Sequence, residues 1–233
     1  MTNILNRASA QVGKVAMTSV DHVVATRLGQ AEALVRKIRA ERPTATHAQV
    51  ADAVIKKFSR ELAGAGALSG AIAAAPAVGT TASLATAVAD IGLAFARITE
   101  MVMAVGVAYG HDLSNDAQRK ASVYHVLSGA TGELTTVEKS AADMKKHIGK
   151  TAVGAKTPAA TTTRIVTKVG TRMVAKLATK EAMVKVASLI PLGIGAGVGA
   201  AGNKALASSV GRTAKKFFDT WPKADNKPQL PTV

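Results

Sequence analysis

Cysteine is absent from this sequence of 233 residues, and aromatic residues make up only 3% of it. The lack of cysteine excludes disulfides, thiol catalysis and cysteine-ligated metal, and it is consistent with a reducing cytoplasm. Hydrophobic residues nevertheless account for 48% of the chain. A core with few aromatic rings must be built from small and aliphatic side chains, which favour helices that pack closely against one another.

Acidic residues are the second shortage, because 15 Asp and Glu face 30 Lys and Arg, for a formal net charge of +15. The excess is concentrated in residues 139–233, which hold 17 basic and 4 acidic side chains, whereas residues 1–138 hold 13 and 11. Such asymmetry predicts a partner with an acidic surface, either anionic lipid or nucleic acid. Asn6 and Arg7 interrupt the apolar core that a signal peptide would need, so we expect none.

Alternating strand patterns bounded by turns are also missing, whereas apolar residues recur at helical spacing along most of the chain. Residues 3–41 are predicted to form one helix that Pro43 ends, and Thr46 is placed to cap a second helix. The prediction is an all-α fold, a multi-helix bundle that forms a single domain over residues 1–221. Residues 222–233 are predicted to be a disordered tail.

The bundle is expected to contain two Ala/Gly-rich apolar helical hairpins, over residues 62–110 and 183–218. In the first hairpin, Pro76 predicts a break between two helices, and Gly110 is placed to end the second of them. Starting at Thr80 or its neighbour, that second helix would be about 40 Å long, which is enough to cross a bilayer.

Three charged residues interrupt this long central helix: Asp90, Arg97 and Glu100. Arg97 and Glu100 can pair across one turn, and we expect the central helix of a soluble bundle in preference to a spanning helix. Asp90 has apolar residues on both sides in the sequence. If it is buried, its carboxylate must be paired or protonated. We expect Asp90 to bond a facing helix terminus or a partner such as Asn203, with ligand binding as the alternative.

Two blocks of the sequence carry a family resemblance. The first has a proline break, an acid within a long helix, and a helix end followed by charged residues: Pro76, Asp90, Ala108-Tyr109-Gly110, Asp112, Asp116 and Arg119. The second has a small-residue run and a later aromatic pair: Ala187 to Gly193, Gly195, Gly197, Gly199, Asn203, Ala214 and Phe217-Phe218. Together they resemble the EcsC protein family, which is named for a protein encoded beside an ABC transporter. The resemblance implies an all-helical, membrane-associated bacterial protein without a defined activity.

Five basic residues recur at a spacing of four in the C-terminal half: Arg164, Lys168, Arg172, Lys176 and Lys180. Residues at this spacing lie along one face of a helix. One interpretation is a solvated helix face. The other is a basic amphipathic helix on anionic lipid, with an attraction of about 1 kcal/mol per basic residue near the surface. Nucleic acid is the less favoured partner, because this region lacks aromatic residues and any recognisable module for reading bases.

Cofactor and metal motifs are not found. The glycine run at 193–199 follows a predicted helix, whereas a dinucleotide-binding loop must follow a strand, and the five histidines lack metal-ligand spacing. We therefore expect no cofactor, no metal site and no catalytic residue. Four polar residues could still form a cluster at the central helix: Asp90, Tyr109, His111 and Asn203. Residues such as Tyr109 and His111 more often satisfy a helix end.

The favoured hypothesis is a non-enzymatic protein, cytoplasmic and peripheral at the inner membrane. It would bind an anionic lipid surface or an apolar, lipid-like ligand, as an accessory to a transporter or a secretion system. One alternative is a membrane-associated, hydrolase-like enzyme of undefined substrate that uses the polar cluster. The other is a nucleic-acid binder that uses the basic C-terminal half. The sequence names no protein partner.

Overall fold

The structure, a computed structural model, describes residues 2–73, 80–130 and 195–221, with side chains described over 14–68, 92–127, 129–130 and 200–221. These residues form six helices and no strand: α1 Thr2–Thr26, α2 Leu28–Glu41, α3 His47–Ala73, α4 Thr80–Ala108, α5 Asp116–Ala130 and α6 Gly195–Thr220. The predicted all-α fold is therefore confirmed. The predicted tail and the first part of the second predicted hairpin lie outside the described residues.

The prediction of one continuous helix over residues 3–41 is wrong, because the chain bends at Arg27 between α1 and α2. Arg27 has φ −110° and ψ 10°, far from the helical ψ of about −42°. Immediately before it, the Thr26 hydroxyl donates a hydrogen bond to the His22 carbonyl oxygen at 2.7 Å. Such bonding back to the preceding turn often bends a helix. The end of α2 at Glu41 precedes Pro43, as predicted.

The start of α3 carries the helix cap that the sequence predicts at Thr46. The Gln49 amide donates to the Thr46 hydroxyl at 3.3 Å, and the Thr46 amide donates to the Gln49 side-chain oxygen at 2.8 Å. This reciprocal pair is a capping box, which satisfies two backbone donors at once. The apolar face that follows is buried, as its spacing predicts, at Val50, Val54, Phe58 and Leu62.

The end of α4 is set by Gly110, as predicted. Gly110 has φ 82°, in the left-handed region that favours glycine. Its amide donates to the Val107 carbonyl at 2.9 Å, and the His111 amide donates to the Gly106 carbonyl at 3.1 Å. This pair of bonds is a Schellman motif, which satisfies carbonyls that a helix end would otherwise leave open.

The described part of α3 ends at Ala73 and that of α4 begins at Thr80, and the break predicted at Pro76 lies between them, outside the described residues. Within α4, Arg97 pairs with Glu100 at 3.3 Å, as predicted. None of the described helices combines the length and the apolar character needed to cross a membrane.

The most extensive helix contact in the described part of the fold joins α6 to α3. The two helices are antiparallel. Asn203, near the start of α6, donates to the Leu62 carbonyl at 3.1 Å, and Gly211 farther along α6 faces the earlier residue Ile55. A Cβ at Gly211 would lie 2.8 Å from Ile55 Cγ1. Glycine at this position therefore sets how closely the two helices approach.

A buried arginine ties α5 to α1. Arg119 is only 3% exposed, and each nitrogen of its guanidinium group donates a hydrogen bond to a protein acceptor. Its Nε donates to the Val24 carbonyl at 2.7 Å, its Nη1 to the Leu113 carbonyl at 2.6 Å, and its Nη2 to the Asp116 carboxylate. These acceptors replace water, so the charge is accommodated inside the bundle.

Candidate functional site

The basic residues predicted to bind anionic lipid lie outside the described residues: Arg164, Lys168, Arg172, Lys176 and Lys180. Their role stays a prediction. The part of the basic half that the structure does describe is α6, which carries Lys204, Arg212, Lys215 and Lys216 against a single acid, Asp219.

The structure does not bring the predicted polar residues into one cluster. Tyr109 lies at the end of α4 near His47, with ring centroids 6.5 Å apart. Asn203 instead donates to Leu62, which is 15 residues along α3 from His47, or about 22 Å. Asp90 lies on α4, 19 residues before Tyr109 or about 28 Å. The side chain of Asp90 is outside the described set.

His111 fastens the end of α4 to α6. Its Nε2 donates to the Phe218 carbonyl at 2.7 Å, and the two rings lie 5.3 Å apart. Both Tyr109 and His111 are buried. Burial raises the pKa of Tyr109, and the charge of Lys215 partly opposes that rise. The two residues therefore hold helix ends together in a mostly dry environment.

At the opposite end of the bundle, α3, α4 and α6 each have a long segment without charge, whereas α1, which packs on α4 at Gly92, carries Arg7 and Lys14 toward the same end. No charged residue occurs in the sequence between Glu61 and Asp90, nor between Lys185 and Lys204. Because α3 is followed by α4, and α6 runs antiparallel to α3, these uncharged helical segments meet at one end of the bundle. We call this region the uncharged end: residues 62–73 of α3, 80–89 of α4 and 195–203 of α6.

Two large hydrophobic side chains are exposed at or beside the uncharged end. Leu68 on α3 is 70% exposed and Leu93 on α4 is 51% exposed. Among the described side chains, these are the large hydrophobic residues that water reaches most. Single exposed leucines are common on soluble proteins, but two beside uncharged segments of α3 and α4 suggest an interaction surface.

A cleft of about 180 Å³ opens between α3, α4 and α6 beside Leu93. It is lined by Glu61, Leu62, Ala65, Leu93, Ala94, Arg97 and Asn203. Its charged and polar lining residues have protein partners: Glu61 pairs with Lys57, Arg97 pairs with Glu100, and Asn203 donates to a backbone carbonyl. The other four lining residues are apolar: Leu62, Ala65, Leu93 and Ala94.

Comparison with protein-family models matches residues 1–220, nearly the whole chain, to the family described as the EcsC protein family. The chain belongs to the EcsC protein family. No curated protein and no solved structure matches it in the corresponding comparisons. The two blocks that carry the sequence resemblance begin after α2. The family match is longer, because it also includes the N-terminal helices α1 and α2.

A second buried histidine of this EcsC family member escaped the sequence analysis. His125 on α5 lies against Phe217 on α6, with ring centroids 4.7 Å apart and planes tilted by 31°. Its Nε2 is buried without a hydrogen-bond partner, and burial lowers its pKa. His125 therefore packs as a neutral aromatic ring.

Metal chemistry finds no support in the part of this EcsC family member that the structure describes, because no three His, Asp or Glu side chains there are arranged to hold an ion. The cleft and the exposed leucines were not predicted. The run of residues without charge between Glu61 and Asp90 was visible in the sequence and could have indicated them.

Proposed function

We propose that this EcsC family member is a non-enzymatic protein that associates with membranes by binding an anionic lipid surface. The observation that supports the proposal best is the exposure of Leu68 and Leu93 beside the uncharged end. Burying a whole leucine side chain contributes about 2 kcal/mol, so two partly exposed leucines supply up to about 2 kcal/mol. That free energy corresponds to a partition about 30 times in favour of lipid.

Electrostatic attraction is the second contribution. Each basic residue near an anionic surface adds about 1 kcal/mol, and the series from Arg164 to Lys180 is its proposed source. On α6, the exposed Lys204 directly follows the uncharged end. Salt screens this attraction strongly but leaves the apolar contribution intact, so the two contributions can be measured separately.

The proposal includes a peripheral position at the cytoplasmic face of a bacterial inner membrane, with a role as accessory to a transporter or a secretion system. The excess of basic charge supports the choice of an anionic leaflet. The transporter connection is supported by the family resemblance alone.

Vesicle co-sedimentation tests this function. Protein is mixed with neutral or anionic vesicles at low and at high salt. We expect binding to anionic vesicles, weakened by salt and weakened again when Arg164, Lys168, Arg172 and Lys176 become Gln. The double substitution Leu68→Gln and Leu93→Gln should remove the part of the binding that survives salt. A matched control, Ala33→Gln on the exposed surface of α2, should leave both parts unchanged.

The proposal fails if the wild-type protein stays in solution with every vesicle composition. Equal binding to neutral and to anionic vesicles would instead remove the electrostatic part of the proposal and leave the apolar part.

An apolar, lipid-like ligand is the second candidate, and the cleft beside Leu93 favours it. The test is binding of a monomeric fluorescent fatty acid in the absence of vesicles. Ala94→Leu should weaken binding by occupying part of the cleft, whereas Ala33→Leu on an exposed surface should not. Neither a hydrolase-like activity nor nucleic-acid binding gains a supporting observation from the described ranges.

A further inference from the structure

Helices α3 and α6 together present a basic surface on the outside of the bundle. At their close contact, Gly211 faces Ile55. The next residue on each helix, Lys56 and Arg212, is turned by about 100° from that contact. Because the two helices are antiparallel, both turns lead to the same side of the pair, and both side chains are exposed. Asn203, eight residues before Gly211, is turned to the other side, where it lines the cleft beside α4.

An ion pair between the two helices supports this placement. Lys215 Nζ lies 2.5 Å from Asp52 Oδ1. Asp52 lies one turn before Lys56 on α3, and Lys215 lies one turn after Arg212 on α6. Residues one turn apart are neighbours on a helix surface. The ion pair therefore crosses from α3 to α6 on the same side as Lys56 and Arg212.

The positive charge on this side exceeds the acids that could balance it. Four exposed basic residues have no ion pair with any acid in the described part of the chain, and we call them the basic face: Lys56, Arg60, Arg212 and Lys216. They occupy about 15 Å along two helices that lie about 8–10 Å apart. Asp219 is the one acid beside them that Lys215 does not neutralise. Like charges four residues apart destabilise a helix, so an anionic partner would stabilise this arrangement.

We infer that the basic face of α3 and α6 docks on the anionic head groups of a lipid surface. The inference rests on the proposed membrane association, and it adds which residues of α3 and α6 meet the head groups.

The composition of this surface favours lipid over an acidic protein or single-stranded nucleic acid. Protein interfaces depend on a few large anchors such as Trp, Tyr and Arg in well-packed pockets, whereas the uncharged neighbours of the basic face are small, as at Ala53 and Ser208. Single-stranded nucleic acid stacks its bases on aromatic rings, but Phe217 and Phe218 are buried. An anionic membrane attracts exposed basic residues without either feature.

Leu68 distinguishes a membrane from duplex nucleic acid as the partner. It follows Arg60 by eight residues on α3 and is turned from it by about 80°, so it borders the basic face. Its side chain is 70% exposed. A lipid surface accepts basic residues at its head groups and an apolar side chain at the acyl boundary. A duplex offers phosphates to the basic residues and nothing comparable to the leucine.

Paired substitutions test the basic face. Partition onto vesicles of phosphatidylcholine and phosphatidylglycerol is measured by co-sedimentation at low salt. Two basic residues near an anionic surface correspond to a change of about 30-fold in partition. Arg212→Gln with Lys216→Gln should therefore lower the partition coefficient by about 30-fold. Lys37→Gln with Arg42→Gln removes equal exposed charge from α2 and should lower it by less than about threefold.

Removal of an acid provides a gain of binding, which misfolding would not mimic. Asp52→Asn frees Lys215 from its ion pair and adds one positive charge beside the basic face. It should raise the partition coefficient by about fivefold. The matched control is Glu32→Gln on α2, which frees Arg36 from an exposed ion pair with the same change in net charge. It should change the partition coefficient by less than about twofold.

The outcomes separate the inference from the proposed function. Equal losses for the α6 and α2 double variants, or no gain from Asp52→Asn, overturn the inference and leave membrane association standing. Binding of duplex DNA in preference to anionic vesicles at the same salt, lost in the α6 variant, also overturns it. If the wild-type protein binds no vesicles, the proposed function fails as well.

Discussion

The contact of Gly211 with Ile55 makes a sharp prediction about how α3 and α6 are held together. A Cβ at Gly211 would lie 2.8 Å from both Cγ1 and Cγ2 of Ile55 and 2.9 Å from its Cδ1. Because all three side-chain atoms beyond Cβ are involved, and isoleucine has one strongly preferred χ1 rotamer in a helix, the side chain has little room to turn away. Gly211→Ala must therefore push the two helices apart.

The expected loss follows from two opposing contributions. Overpacking a well-packed core costs about 1–3 kcal/mol, whereas replacing glycine by alanine inside a helix gains about 1 kcal/mol. We expect Gly211→Ala to be destabilised by about 1 kcal/mol on balance. Gly202→Ala on the same helix has nothing within 4 Å of its new Cβ, and it should gain about 0.5–1 kcal/mol.

The assay is urea unfolding followed by circular dichroism, for both variants and the wild type. Ile55→Ala removes all three side-chain atoms beyond Cβ, so Gly211→Ala should cost less in an Ile55→Ala background than in the wild type, because neighbouring sites are not additive. A Gly211→Ala variant as stable as Gly202→Ala would refute this account of the α3–α6 contact. An equal cost of Gly211→Ala in the wild type and in the Ile55→Ala background would instead show that the strain lies elsewhere than at this side chain.

Two further predictions concern buried charges and titrating groups. Since burial lowers the pKa of His125, protonation favours the unfolded chain. Stability should be complete above the unfolded pKa of about 6.5 and fall with decreasing pH by at most about 1.4 kcal/mol per pH unit. His125→Leu should reduce that slope in denaturant titrations between neutral and acidic pH, and an unchanged slope would contradict the assignment. Arg119→Met should cost about 3 kcal/mol in the free energy of unfolding by leaving buried carbonyls without donors. Arg36→Met, whose side chain is 59% exposed, should change it by less than about 0.5 kcal/mol, and equal effects of the two would argue against a network at Arg119.

Local interactions of a few residues were predictable from sequence, because both partners lie within one turn. The capping box of Thr46 and Gln49, the glycine end of α4 at Gly110 and the pair of Arg97 and Glu100 all belong to this class. Each depends on a spacing of three or four residues, or on one backbone conformation that glycine adopts readily.

Interactions between distant segments were not predictable, because a sequence does not give the register of one helix on another. The expected partnership of Asp90 with Asn203 stays a prediction, because the Asp90 side chain is outside the described residues, and the bond from Asn203 to the Leu62 carbonyl on α3 was not predicted. His125 was found only through its contact with Phe217, which lies 92 positions away. The bend at Arg27 was missed for a different reason, since a threonine that bonds back to the preceding turn does not always interrupt a helix.

The dependence of α3 on α6 has a consequence for how the chain folds during synthesis. The residues that α6 contacts on α3 leave the ribosome well over a hundred residues before α6 itself. At about 5–20 residues per second, synthesis of the 147 residues from the end of α3 at Ala73 to the end of α6 at Thr220 takes roughly 7–30 s. For that time, the face of α3 around Ile55 has no covering helix. Nascent chains of this protein should therefore engage chaperones until α6 arrives, and removal of α6 alone should make α1–α5 prone to aggregate.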